Sequence, residues 1–139
     1  MTLAQSAPSF CLLDGKHVAG IIVRPDGSYD ILGPGGGSLP YPTVAAKAGD
    51  SVALFGVGFG PTNPAVLAGQ TFSASAPTIG AVGLIVNTIT IAPSFAGLTG
   101  AGLYQINFTV PPGSGTGDVL IQATAGGVKT QPNAVISLQ

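Results

Sequence analysis

Hydrophobic and polar residues alternate most regularly over Leu103–Val110, where apolar residues take every second position and Gln, Asn and Thr take those between. Successive side chains of a β-strand point to opposite faces, so this pattern predicts a strand with one buried and one polar face. Ser51–Val57 differs because it is apolar on both faces, with Val52 on one and Phe55 on the other. A strand of this kind is typical of the centre of a sheet that is covered on both sides.

Short apolar runs bounded by Gly, Pro and Asp predict further strands. These runs are Ser9–Leu13, Val18–Val23, Tyr29–Leu32, Ala81–Ile91 with a bend or bulge midway, Val119–Thr124 and Val128–Leu138. Pro93–Gly102 is predicted to be a loop from which Phe95 and Leu98 enter the core. Many short strands at intervals of roughly 8–12 residues, without a sustained helical period, predict an all-β sandwich or barrel.

Glycine and proline are most concentrated in Gly33–Pro42, which is the best candidate for a linker. Residues 1–40 are interpreted as an N-terminal arm and a β-hairpin, packed on the sandwich or exchanged with a neighbouring copy. Asp14-Gly15 supplies the turn signal of that hairpin. Residues 41–139 are interpreted as the sandwich itself.

The chain carries very little charge, with four Lys or Arg, five Asp and no Glu among 139 residues. A globular domain of this length would carry about 35 charged residues. Two explanations stay open: a surface covered by Ser, Thr, Asn and Gln, or a surface buried against copies of the chain or under sugar. The scattered basic residues argue against nucleic-acid binding. No apolar stretch is long enough for a transmembrane helix, so no membrane insertion is expected.

The chain offers little catalytic chemistry. His17 has only Cys11 and Asp14 nearby in the sequence as further ligands, so it is interpreted as a turn residue and not as part of a metal site. Asp26 and Asp30 flank another turn, and a Ca²⁺ site needs more oxygen ligands than they supply. Cys11 is interpreted as a buried free thiol, with an intermolecular disulfide as the alternative. We therefore expect no enzyme activity, no metal and no cofactor.

Candidate assembly residues lie in and after the arm: Leu3, Phe10 and Leu12. An arm of this kind can complete the open edge of a neighbouring sandwich by adding a strand. Asn107 begins an Asn-Phe-Thr glycosylation sequon on the polar face of the clearest strand. Tyr41, between two prolines, is the better candidate among the tyrosines for stacking on a sugar.

Several short strings together resemble the Solibacter-type uncharacterised C-terminal domain, which recurs at the ends of large secreted bacterial proteins, chiefly in Acidobacteria. The matching strings are Ala7–Phe10, Pro25–Ser28, Gly49–Val52, Gly58–Pro64, Ala96–Leu98, Gly102–Pro111, Gly117-Asp118 and Gly126–Val128. The resemblance implies an immunoglobulin-like β-sandwich and an extracellular location. It implies no catalytic residues.

The functional hypothesis is a non-catalytic extracellular structural subunit. It would assemble with copies of itself into a filament or surface layer through exchange of a strand or arm between β-sandwiches. The alternative is a cell-surface binding module for polysaccharide or for a protein partner.

Overall fold

The computed structural model describes residues 8–35, 42–59, 76–78, 82–100, 103–125 and 127–139. Within these ranges the chain forms twelve β-strands and no helix, which confirms the all-β class. None of these residues therefore belongs to a helix long and apolar enough to span a bilayer.

The strands form two sheets in which every pair of neighbours is antiparallel. They are β1 (Ser9–Phe10), β2 (Gly20–Val23), β3 (Tyr29–Ile31), β4 (Ser51–Val57), β5 (Ala76–Pro77), β6 (Val82–Val86), β7 (Ile89–Ile91), β8 (Phe95–Gly100), β9 (Leu103–Thr109), β10 (Gly117–Ala125), β11 (Val128–Lys129) and β12 (Val135–Leu138). The first sheet has the order β3-β2-β4-β9-β8-β5, with β1 also paired to β4. The second has the order β11-β10-β6-β7, with β12 also paired to β10.

The core lies between the two sheets and is filled from both by alternate residues. Leu54 of β4 and its partner Ile106 of β9 are fully buried, as predicted for the inner face of the clearest strand. From the second sheet, Leu84 and Ile121 enter the same apolar cluster. This arrangement is a β-sandwich, in which the remaining positions of each strand face outward.

The N-terminal strands belong to the first sheet. β1 and β2 both pair with β4, and Phe10 lies opposite Gly56. A Cβ atom at Gly56 would come within 2.6 Å of the Ser9 carbonyl oxygen, so glycine is what allows β1 to approach β4 so closely. Residues 12–18 form the expected hairpin turn, closed by an isolated pair between Leu12 and Val18.

The segment after the glycine-rich stretch ties the two sheets together. Val44 forms a parallel bridge with Leu32, next to β3, and Ala46 forms one with Leu138 of β12. His17 forms a third parallel bridge, with Val135 at the start of β12. The outer edge of β12 is therefore partly covered by two passing segments, which leaves less of it open to a neighbouring strand.

Four predicted elements differ from the structure. Residues 95–100 form β8 and not a loop, because pairing with β9 outweighs a glycine-rich sequence. Leu98 is buried as predicted, whereas Phe95 lies on the outer face, opposite Asn107. The predicted bend in residues 81–91 is a complete reversal at Asn87-Thr88, which separates β6 from β7.

The third difference is in β4, which is central but only partly covered on its outer face, where Ala53 is buried. Its inner residues are buried, whereas Val57 on the other face is 44% exposed and Phe55 is half-buried. The return strand predicted over residues 128–138 is also divided, into β11 and β12, by a turn at residues 132–133.

Candidate functional site

The outer face of the first sheet is apolar. We call this surface the first-sheet face. It is defined by six outward side chains from four strands: Ile21, Val23, Tyr29, Ile31, Phe55 and Phe95. Their inward neighbours Ile22 and Leu54 are buried in the core, so the alternation of the strands places these six residues on the opposite side.

Strand register aligns the first-sheet face in rows. One row runs across five strands through Ile31, Ile21, Ala53, Asn107 and Phe95. The adjacent row runs through Tyr29, Val23, Ser51 and Thr109. In this second row Tyr29 is 63% exposed and Val23 is 39% exposed. The surface is therefore a continuous strip of apolar and neutral side chains.

Charge is nearly absent from the first-sheet face. The polar groups between its apolar residues are amides and hydroxyls, and Gln105 Nε2 donates a hydrogen bond of 2.7 Å to Asn107 Oδ1. Arg24 and Asp30 follow Val23 and Tyr29 in the sequence, and they form an ion pair with each other. Their charges largely compensate, so the strip attracts neither a strongly acidic nor a strongly basic partner.

A second surface lies on the outside of the second sheet. We call it the second-sheet groove; it has a volume of about 220 Å³, and its outward-facing lining consists of Ile85, Asn87, Thr88, Leu120, Gln122 and Pro132. Leu120 is 58% exposed, although its neighbours Val119 and Ile121 are buried in the core. The groove therefore presents an unusually exposed leucine beside two side-chain amides.

The main cluster of titratable groups joins the N-terminal hairpin to β10. We call it the histidine cluster; it consists of Asp14, Lys16, His17 and Asp118. His17 is buried, and its Nδ1 lies 2.6 Å from Asp14 Oδ2 while its Nε2 lies 3.1 Å from Asp118 Oδ1. Lys16 Nζ lies 3.6 Å from Asp118 Oδ2.

Local hydrogen bonds hold both carboxylates of the histidine cluster. The backbone N–H groups of Lys16 and His17 donate to Asp14 Oδ1, which is the usual way an aspartate begins a turn. The backbone N–H of His17 is the main reason that the pKa of Asp14 is lowered to about 2. Burial alone would raise the pKa of Asp118, but hydrogen bonds from His17 and Ser137 outweigh burial and lower it.

The histidine cluster connects the N-terminal hairpin to β10 through ion pairs and hydrogen bonds. Both imidazole nitrogens face carboxylates, and Ser137 Oγ donates to Asp118 Oδ1 at 2.9 Å and not to the histidine. A serine nucleophile would need the opposite arrangement, with its hydroxyl on the imidazole. In the part of the chain that the structure describes, no group of three or more His, Cys, Asp or Glu side chains is arranged to hold a metal ion.

The predicted assembly residues do not form one surface. Phe10 is 3% exposed, its ring centroid lies 6.1 Å from that of Phe59, and Gln131 hydrogen-bonds both its N–H and its carbonyl. Leu12 is half-buried against the core, and Leu3 lies outside the described residues. Their role in assembly stays a prediction, since exchange would require Phe10 to leave this site for the same site in a neighbour.

The other predicted residues are dispersed. Asn107 lies in the middle of the first-sheet face and is half-buried, and its glycosylation stays a prediction. Cys11 is half-buried, and it is the only cysteine in the chain. Tyr41 lies outside the described residues, whereas Tyr104 packs against the core with its ring 5.7 Å from that of Phe59.

Sequence reasoning missed the first-sheet face, and among the candidate tyrosines it preferred Tyr41 to Tyr29. The sequence did contain a signal for this face, because β4 is apolar on both sides. Its second apolar side was expected to be covered by other parts of the chain. Comparisons of this chain with known protein families, curated proteins and solved structures found no match. The resemblance to the Solibacter-type domain therefore stays a prediction.

Proposed function

We propose that this chain is a non-catalytic structural subunit that assembles with copies of itself into a filament or surface layer outside the cell. The proposal includes the finer fold implied by the resemblance, an immunoglobulin-like sandwich of Solibacter type. One observation carries it: the first-sheet face presents Tyr29 and Val23 to solvent beside the half-buried Ile21, Ile31, Phe55 and Phe95, although Ala53 among them is buried.

The size of the first-sheet face indicates how strong one contact can be. Five strands about 4.8 Å apart, with side chains in about three rows, give roughly 400 Å². Burial of that area on both partners would contribute at most about 20 kcal/mol to the free energy of association. Association costs about 4–15 kcal/mol, and the amides and hydroxyls within the face lower the apolar contribution. A single contact of this kind is therefore weak, and stable assembly requires a second contact.

Exchange of the N-terminal arm remains one proposed source of the second contact. Phe10 fills a pocket beside Phe59, and the pairing of β1 with β4 involves only two residues on each strand. So short a pairing is easily replaced by the same strand of a neighbour, at little net cost because the same contacts form again.

The proposal is tested by Val23→Lys, which places a charge in the first-sheet face. The matched control is Val128→Lys, since Val128 is 41% exposed on β11 and Val23 is 39% exposed on β2. We expect the wild type and the control to form polymers, as seen by sedimentation velocity and negative-stain microscopy. Val23→Lys is expected to raise the protein concentration at which polymers form at least tenfold. Equal assembly of all three proteins would contradict a role for this face.

One observation favours the alternative, a cell-surface module that binds a polysaccharide or a protein partner. A groove of about 290 Å³ begins at Val23, the strand partner of Tyr29, and its lining includes Ser51, Gln105, Asn107 and Thr109. An exposed aromatic ring beside neutral amides and hydroxyls suits a neutral glycan. This alternative predicts a wild-type monomer whose tyrosine fluorescence changes on addition of a soluble glycan, with loss of that change in Tyr29→Ala.

A further inference from the structure

We propose that the first-sheet face of one copy packs against the second-sheet groove of the next copy, with Tyr29 as the side chain that enters the groove. This inference rests on the proposed function and names the geometry of the assembly. The partner is a second copy of this chain.

The two surfaces lie on opposite sides of the sandwich. In the first sheet Ile22 points to the core and Val23 points away from it. In the second sheet Ile121 points to the core and Leu120 points away from it. Because the core lies between the sheets, the outward side chains of one sheet face in the direction opposite to those of the other.

The two surfaces also match in shape and chemistry. Tyr29 is the most exposed of the large apolar side chains in the described residues, at 63%. The second-sheet groove is large enough for an aromatic ring and offers Ile85, Leu120 and Pro132 as apolar walls. The amide nitrogens of Asn87 and Gln122 donate to the carbonyl oxygens of Ser114 and Thr130, so a tyrosine hydroxyl in the groove would donate to the oxygen of either amide. Tyrosines in such pockets are frequent energetic centres of interfaces.

Charge and area point to a copy of the chain as the occupant. The outward lining of the groove and the six residues of the first-sheet face include no ionisable side chain except Tyr29. With a net charge of −1, two copies hardly repel each other. The area, roughly 400 Å² on each partner, is about half of the 800 Å² or so that a stable isolated dimer buries. Each contact is therefore expected to be weak, so a polymer held by it alone forms only at high protein concentration.

The geometry of this contact determines the form of the assembly. A contact between two different surfaces that face in opposite directions leaves one free surface of each kind at the ends, so the next copy can always add. Contact between two first-sheet faces would instead close into a dimer and leave both grooves empty. The inference therefore predicts an open, head-to-tail filament.

A mixing experiment tests the inference with two variants. Tyr29→Lys blocks the face but keeps the groove, and Leu120→Lys blocks the groove but keeps the face. Both residues are largely exposed, so both variants are expected to fold, with thermal midpoints close to that of Val128→Lys. We expect each variant alone to sediment as a monomer. At concentrations at which the wild type polymerises, an equimolar mixture is expected to contain a species of twice that mass, because one intact face meets one intact groove. A mixture that stays monomeric there would overturn the inference.

The other outcomes distinguish the inference from the proposed function. If Leu120→Lys alone forms dimers and mixing adds nothing, the contact is face to face: the inference is overturned while self-assembly through the first-sheet face stands. Polymers in both single variants would also overturn the inference. A wild type that is monomeric at every concentration contradicts the proposed function itself. A large loss of thermal stability in monomeric Tyr29→Lys would show that Tyr29 is covered within its own chain, which overturns the inference.

Discussion

Tyr29 and Leu120 are unusual single residues because each is a large apolar side chain that is more than half exposed. Scattered apolar residues are normal on protein surfaces. These two are not isolated, since Tyr29 lies beside the exposed Val23 on the first sheet and Leu120 borders a groove. Such contiguous apolar surface is what interaction sites present to a partner.

The histidine cluster is the other feature at the scale of the residue, and it leads to a prediction of acid sensitivity. The pKa of Asp14 is about 2 in the folded chain, against 3.8 for an unperturbed aspartate. A carboxylate with a depressed pKa stabilises the fold above its unfolded pKa, and that contribution is lost as pH falls through the folded pKa. Asp14 is therefore expected to stabilise the fold at neutral pH and to lose this effect between about pH 4 and pH 2.

Asp14→Asn measures this contribution, because asparagine keeps the turn-forming oxygen and removes the charge. We expect thermal unfolding at pH 6 to show that the free energy of unfolding falls by about 1 kcal/mol. This value is smaller than the full shift in the pKa of Asp14 would give, because the side chain is partly exposed. The difference from the wild type should vanish near pH 2. A constant difference across this range would show that Asp14 acts through the shape of its side chain and not through its charge.

At the scale of the element, the sequence predicted the strands whose patterns were strong. β4 and β9 lie where the apolar pattern placed them, because long, strongly patterned runs are little affected by their surroundings. β8 was missed because its glycines gave no strand signal and only its pairing with β9 makes it a strand. The first-sheet face was missed for a related reason. It is assembled from β2, β3, β4 and β8, and the pattern of a single segment does not predict which strands become neighbours in the sheet.

The β6-β7 hairpin supports a prediction about the turn at Asn87-Thr88. Both residues have positive φ, 45° and 79°, as a two-residue hairpin turn requires. Asparagine accepts this conformation, but a β-branched threonine is strained in it. Thr88→Gly is therefore expected to relieve about 1 kcal/mol of strain and to stabilise the fold. The net gain is smaller, because glycine adds conformational entropy to the unfolded chain.

Urea unfolding of Thr88→Gly is compared with that of Thr116→Gly, which places the same substitution in an exposed loop residue without positive φ. The first variant should unfold at a higher urea concentration than the wild type, and the second at the same or a lower one. Equal destabilisation by both would show that Thr88 carries no strain.

At the scale of the whole molecule, the scarcity of charge and the outward apolar rows have one physical explanation. Nine charged residues among 139 leave hydration of the surface largely to hydroxyls and amides. The sandwich buries its inner faces in one core, but on the first-sheet face the apolar side chains of Val23 and Tyr29 remain exposed. Contact with further copies would remove that face from water, and the second-sheet groove lies on the opposite side to receive it.

The central claim is tested most directly by sedimentation velocity of the wild-type protein over a wide range of concentration, at low and at high salt. We predict a weight-average mass that rises continuously beyond that of a dimer. It should be no lower at high salt, because apolar contacts, unlike ion pairs, are not screened. A single species of 13.6 kDa at every concentration would contradict the account.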